Sequence, residues 1–204
     1  MKQLTLTNPS YTFEVYFRLN PFVGDLAAHF GYTFSREKYV LPHSSIVLDK
    51  IEDLIRRLEE NMLHAVLNNE TARREFLIAP VITEVIIHTH SQVRVEYPLI
   101  VNEMLKGSLD YLLEGKRSFL VIEAKSGDLE QDFVQLAVEL IALDQWIDEP
   151  ELLLFGAVSV GSVWQFGILQ RQEKRVIQDI NLLRVPADVE NLLRIMIAVL
   201  QGPC

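Results

Sequence analysis

The sequence has a single cysteine, Cys204, so no internal disulfide can brace the fold and a reducing compartment is expected. It has no apolar run approaching the length of a membrane span. The opening stretch MKQLTLTNPSYTFEVYF holds no long apolar segment of the secretory kind. A cytoplasmic protein with no membrane association follows as an expectation. Repeats, low-complexity tracts and linker-like stretches are also missing, and one domain is the default for 204 residues. No Ser-His or Cys-His arrangement supports a triad hydrolase. Positive charge is scarce: 19 basic residues face 28 acidic ones, a net charge of −9. The shortage is local, because residues 70–149 hold 7 basic and 15 acidic residues, or −8. No basic stripe of the kind that grips phosphate backbones is visible. An acidic centre fits a divalent cation better than bare nucleic acid.

What is present is a globular composition, 49% apolar and 23% charged. Residues 1–46 are mixed: YTFEVYFRLN suits a strand or a short helix, NPF opens another short element, and HFGYTFSREKYVLPHSS reads as loop with brief extended pieces. From Val47 the period becomes helical, with Ile51, Leu54, Ile55, Leu58, Met62, Ala65 and Val66 at three- and four-residue steps. That helix is expected to end near Asn68 and Asn69. ETARREFLIAPVITEVIIH is a second helix, with Thr71 as its cap and Pro80 bending or dividing it. The period then shifts to two: QVRVEYPLIV, SLDYLL and SFLVIEAK read as a three-stranded meander. DLEQDFVQLAVELIALDQWI is a helix apolar on two faces, hence packed on both sides. ELLLFGAVSVG and VWQFGILQ are strands about a turn at Gly161–Ser162, RVIQDINLLRV is a third, and DVENLLRIMIAVL is a final helix capped by Asp188. This order predicts an α/β protein with a mixed sheet, the strand after the long helix adding in parallel.

The chemistry concentrates in the hairpin KGSLDYLLEGKRSFLVIEAKSG. In the strand 119–125 side chains alternate, so Phe119, Val121, Glu123 and Lys125 share one side and Leu120, Ile122 and Ala124 the other. The midpoint between Asp110 and Glu123 falls at Lys116–Arg117, so folding there sets the two carboxylates opposite each other. Paired carboxylates repel, and a hard divalent ion removes that penalty while keeping several waters. A nearby lysine can then orient a water or stabilise negative charge.

Asp110, then Glu123-Ala124-Lys125 after a hairpin, then Gln135 in the following helix, resembles the PD-(D/E)XK nuclease superfamily. NETARREFLIAPVI, LDYLL, VIEAKSG, QLAVEL and GAVSVGSVWQFGIL are similar in order and spacing to the nuclease domain of type I restriction motor subunits. The chain also resembles a group of small cyanobacterial proteins of this fold. The resemblance covers roughly residues 70–170. It implies a restriction-endonuclease-like mixed sheet flanked by helices, with residues 1–69 as an N-terminal helical extension and 171–204 as a C-terminal strand and helix. It further implies metal-binding acids at Asp110 and Glu123, a catalytic lysine at Lys125, and the motif glutamine at Gln135, although Glu139 stands where the motif has tyrosine. Leu109 replaces the proline that precedes the first aspartate. An acid from the first core helix is expected at Glu75, with Glu70 and Glu84 as alternatives. The implied activity is Mg2+- or Mn2+-dependent cleavage of DNA, by a homodimer or with a protein partner.

Plainer roles stand beside these. Asp110, Glu123 and Lys125 could form a structural ion cluster, and Gln135 could satisfy backbone groups. Glu75 could complement the helix dipole. The same fold could serve as a catalytically silent interaction or regulatory module. His88 and His90 are expected on the surface or in a loop, and Trp146 and Trp164 in the core or in helix packing. The 51–66 stripe is expected to be core or a partner interface.

Overall fold

The computed structural model describes residues 6–115, 119–124, 127–148 and 153–202. Two short helices, α1 (Phe13–Leu19) and α2 (Val23–His29), lead into β1 (Thr33–Glu37). YTFEVYFRLN is thus a helix, because one turn lets Phe13 and Tyr16 bury together. One of the brief extended pieces expected in the loop segment is β1, an edge strand parallel to a distant partner.

Helix α3 (Ile51–His64) buries Leu54 and Leu58 but leaves Met62, Leu63 and Val66 on the surface, so only half of the apolar stripe is core. It stops before the expected Asn68–Asn69 end, since Ala65 is already extended. Asn69 instead starts the next helix: its side chain accepts from the Ala72 N–H at 2.8 Å, and Thr71 lies inside that helix rather than capping it. Helix α4 (Glu70–Arg73), a π-helical segment (Arg74–Ile78) and α5 (Ala79–Thr89) run on as one rod. Pro80, near the start of α5, has no N–H for the carbonyl four residues back. That carbonyl, of Phe76, accepts from Asn61 Nδ2 at 2.7 Å. The proline therefore coincides with a change of hydrogen-bond pattern along the helix.

The meander follows as β2 (Gln92–Asn102), β3 (Leu105–Glu114) and β4 (Phe119–Ala124), all antiparallel neighbours. Helix α6 (Leu129–Trp146) then crosses over to β5 (Leu153–Ser159), which pairs with β4 in parallel. Strands β6 (Val163–Gln170) and β7 (Arg175–Arg184) and helix α7 (Val189–Gln201) complete the chain. Asp188 stands at the α7 cap position, but its carboxylate accepts from the Arg184 N–H at 2.8 Å and caps nothing.

The result is α/β: a seven-stranded mixed sheet in the order β1-β7-β6-β5-β4-β3-β2, flanked by helices, with an N-terminal helical region. One face carries α3, α5 and α7 on a core that includes Leu120, Ile122, Ala124 and Trp164. The other carries α1, α2 and α6 on a core that includes Val121, Phe133 and Leu136. The alternation along β4 is the one expected, odd residues to one core and even residues to the other. Residues 132–143 of α6 are all buried, between the sheet and α1 and α2. Gly156 on β5 makes this seat possible, because a Cβ there would stand 2.6 Å from Leu136 Cδ1. Trp146 sits half-exposed at the end of α6, edge-on to Tyr97, rather than in the core. Among the described residues, no helix is long and apolar enough to cross a membrane.

Candidate functional site: an acidic row across three strands

The register of β3 with β4 runs from Glu114↔Phe119 to Tyr111↔Ile122. One step further sets Asp110 opposite Glu123, as the hairpin midpoint predicted. Both are largely buried, at 8% and 1% exposure. Asp110 Oδ2 accepts from the Ala124 N–H at 2.8 Å, which ties the end of β3 to the end of β4. Glu123 projects toward α6, where Gln135 Nε2 donates to its Oε1 at 2.5 Å. The same amide donates to Glu139 Oε1 at 2.8 Å, one helical turn on. The structure thus sets Asp110 and Glu123 at the ends of neighbouring strands and joins Glu123 to Gln135. Lys125, the fourth expected member, lies outside the described residues.

The row extends one strand beyond the sequence expectation. Between the paired positions Val95↔Tyr111 and Tyr97↔Leu109, Glu96 of β2 falls opposite Asp110. Its backbone is in the left-handed region, φ +51°, which a non-glycine residue adopts only under local strain. Glu96, Asp110 and Glu123 therefore lie side by side on three neighbouring strands. Arg74, from the π-helical segment, reaches the first two: Nη1 is 2.5 Å from Glu96 Oε1 and 3.6 Å from Asp110 Oδ1. Its guanidinium also lies over the Tyr111 ring, 5.2 Å from the centroid. Burial works against its charge, but the Tyr111 side chain, Glu96 and Asp110 together hold it protonated even above the usual arginine range.

The helical side chain that stands beside Asp110 is thus an arginine. Glu75, the neighbour of Arg74, is exposed, and Glu70 is half-buried at the first position of α4. Glu84 is buried on α5 and pairs with His88 at 3.4 Å, beside a cleft of about 890 Å³ that Asp53, Arg57 and Glu60 of α3 also line. His88 is half-buried within α5 rather than in a loop, and His90 follows the last turn of α5 on the surface. A second cleft, of about 400 Å³, lies beside His88 and His90. Neither cleft is lined by Asp110, Glu123 or Gln135. The acidic row, not either cleft, gathers charged groups that burial penalises, which is the mark of a functional site.

The donor set is one of hard carboxylate oxygens. It suits Mg2+ or Mn2+, which takes one or two protein carboxylates and keeps several waters. Among the described residues no three His, Cys, Asp or Glu side chains form a ready metal cage, so they build no closed zinc-type centre. Arg74, Glu96 and the packing of Glu139 against Gln135 were not legible as site features. Glu96 could have been found by carrying the hairpin register one strand further. Arg74 carries no local signal, since it lies 36 residues before Asp110. No protein-family model, curated protein or solved structure matches the chain.

Proposed function

We propose that this chain is a metal-dependent phosphodiesterase of the PD-(D/E)XK type that acts on DNA. The observation that carries this is the placing of Asp110 and Glu123 on adjacent strands at the end of an antiparallel hairpin, with Gln135 bonded to Glu123. Asp110 and Glu123 would hold one or two Mg2+ or Mn2+ ions, whose chemistry is to polarise a phosphoryl oxygen and make water more acidic. Gln135 fixes the carboxylate of Glu123 from above, so that its free rotation does not spoil the ligand geometry. The Ala124 N–H does the same for Asp110. Lys125 is assigned the task of orienting the attacking water. The −8 charge of residues 70–149 suits a single copy poorly to a duplex, so a homodimer or a protein partner belongs to the proposal, and light scattering tests it.

The deciding experiment incubates plasmid, single-stranded and branched DNA with the protein in Mg2+ or Mn2+. Wild type should cut, and Lys125→Ala and Asp110→Asn should not; equal background from all three would end the proposal. A second reading, a catalytically silent module, draws on the burial of Glu123 and on Arg74 beside Asp110. Calorimetric titration with Mn2+ separates the two, since an active site binds the ion and loses it in Asp110→Asn.

A further inference from the structure

Resting on the nuclease reading, we propose that Arg74 is the phosphate-binding residue of this site, with Glu96 as the counter-ion that a DNA phosphate displaces.

A site that gathers Glu96, Asp110 and Glu123 in one row repels a phosphodiester. Metal ions offset part of that charge, but they are bound through the same acids. Lys125 is assigned to the attacking water, so a second cation carried by the protein would hold the phosphate in place. Among the described residues, Arg74 is the cation set against Asp110.

Its setting is that of a ligand-binding arginine rather than a simple brace. The guanidinium has five N–H donors in a fixed plane, which matches phosphate oxygens two at a time. The Tyr111 ring beneath it holds that plane. The contact to Asp110 is 3.6 Å, longer than a hydrogen bond, so it balances charge without using a donor fully. The short bond goes to Glu96, whose side chain is 56% exposed while that of Arg74 is 19% exposed. The counter-ion therefore stands on the solvent side, where DNA would approach. A phosphodiester oxygen can take the place of the Glu96 carboxylate with no movement of Arg74, and the displaced Glu96 is free to be hydrated. The strained backbone at Glu96 and the π-helical turn at Arg74 both fall at this pair.

The test measures binding of labelled single-stranded and duplex oligonucleotides by fluorescence anisotropy in EDTA, across a salt series, beside cleavage assays in Mn2+. Arg74→Gln should weaken binding about tenfold and reduce the slope of log K against log salt by about one. Arg74→Lys should recover part of the affinity. Glu96→Gln should tighten binding about threefold, because the competing anion is gone; a structural brace would give no such gain. Calorimetry with Mn2+ should find the ion still bound by Arg74→Gln, which shows the acids in place. Should Arg74→Gln fail to fold, Arg74→Lys and Glu96→Gln decide. Wild-type affinity in Arg74→Gln, or unchanged or weakened binding in Glu96→Gln, overturns the assignment while cleavage by wild type leaves the nuclease function standing. Absence of both binding and cleavage in wild type removes the nuclease function, and this assignment with it.

Discussion

The two ends of helix α6 handle buried charge in opposite ways. Near its C-terminal end, Asp144 meets a full complement of donors. Arg171 Nε reaches one carboxylate oxygen, the Tyr32 hydroxyl donates to the other at 2.5 Å, and Arg171 Nη2 donates to the Asp144 and Ile147 carbonyls at 3.0 and 2.9 Å. Here cation and anion balance, and the arginine also closes the helix end. In the N-terminal half, Gln135 offers one neutral amide nitrogen to two buried carboxylates, Glu123 and Glu139, with Asp110 on the next strand. The first arrangement staples α2 and β1 to α6 and β6. The second concentrates anions where a fold of this size would ordinarily place valine or leucine. On the nuclease reading, the first cluster is structural and the second is the one that would meet a metal ion.

Mutations can break or sharpen that contrast. The largest effect is expected for Glu123→Gln, which should lower Mn2+-dependent cleavage by about a thousandfold, some 4 kcal/mol in the barrier. Its urea midpoint should stay equal or rise; a large loss of stability would make Glu123 a structural residue. Arg171→Met should do the reverse. It leaves a buried carboxylate without its cation and should cost about 3 kcal/mol of unfolding free energy, with cleavage per folded molecule unchanged. If instead the variant is as stable as wild type, the balanced end is not the staple we describe.

The smallest effect is in pH. Burial, followed by the hydrogen bond to Asp144, holds the Tyr32 hydroxyl protonated well above the ordinary tyrosine value of 10.0. The folded state therefore keeps a proton that the unfolded chain loses near pH 10. This contribution is fully present below that pH and fades as pH rises toward the folded value. Thermal midpoints should be flat through neutrality from this group and fall above pH 10, and less steeply in Tyr32→Phe. Identical alkaline profiles for the two proteins would remove Tyr32 from the balance.

How much of this was legible depended on distance along the chain. The hairpin pairing of Asp110 with Glu123 needs only a midpoint and a period of two, so sequence was enough. The long helix and its Gln135 followed from apolar spacing on two faces. Strand β1 was read only as a brief extended piece in a loop, because five residues with no clean alternation pair with β7, some 140 positions away. The cap of the second helix moved from Thr71 to Asn69 because both are capping residues, and only the backbone decides between them.

The α/β class, the meander, the crossover helix and the placing of two acids at the ends of neighbouring strands all followed from the order of residues. Those features rest on local periodicity, which side-chain alternation and helical spacing impose on any chain. Tertiary structure alone decided that an arginine from a π-helical turn and a glutamate from the edge strand join them. Those residues meet because the helix packs over the sheet end, and packing between elements far apart in sequence leaves no periodic trace. The same packing turned one glutamine into the shared partner of two buried acids, and one arginine into the lock on the other end of the helix.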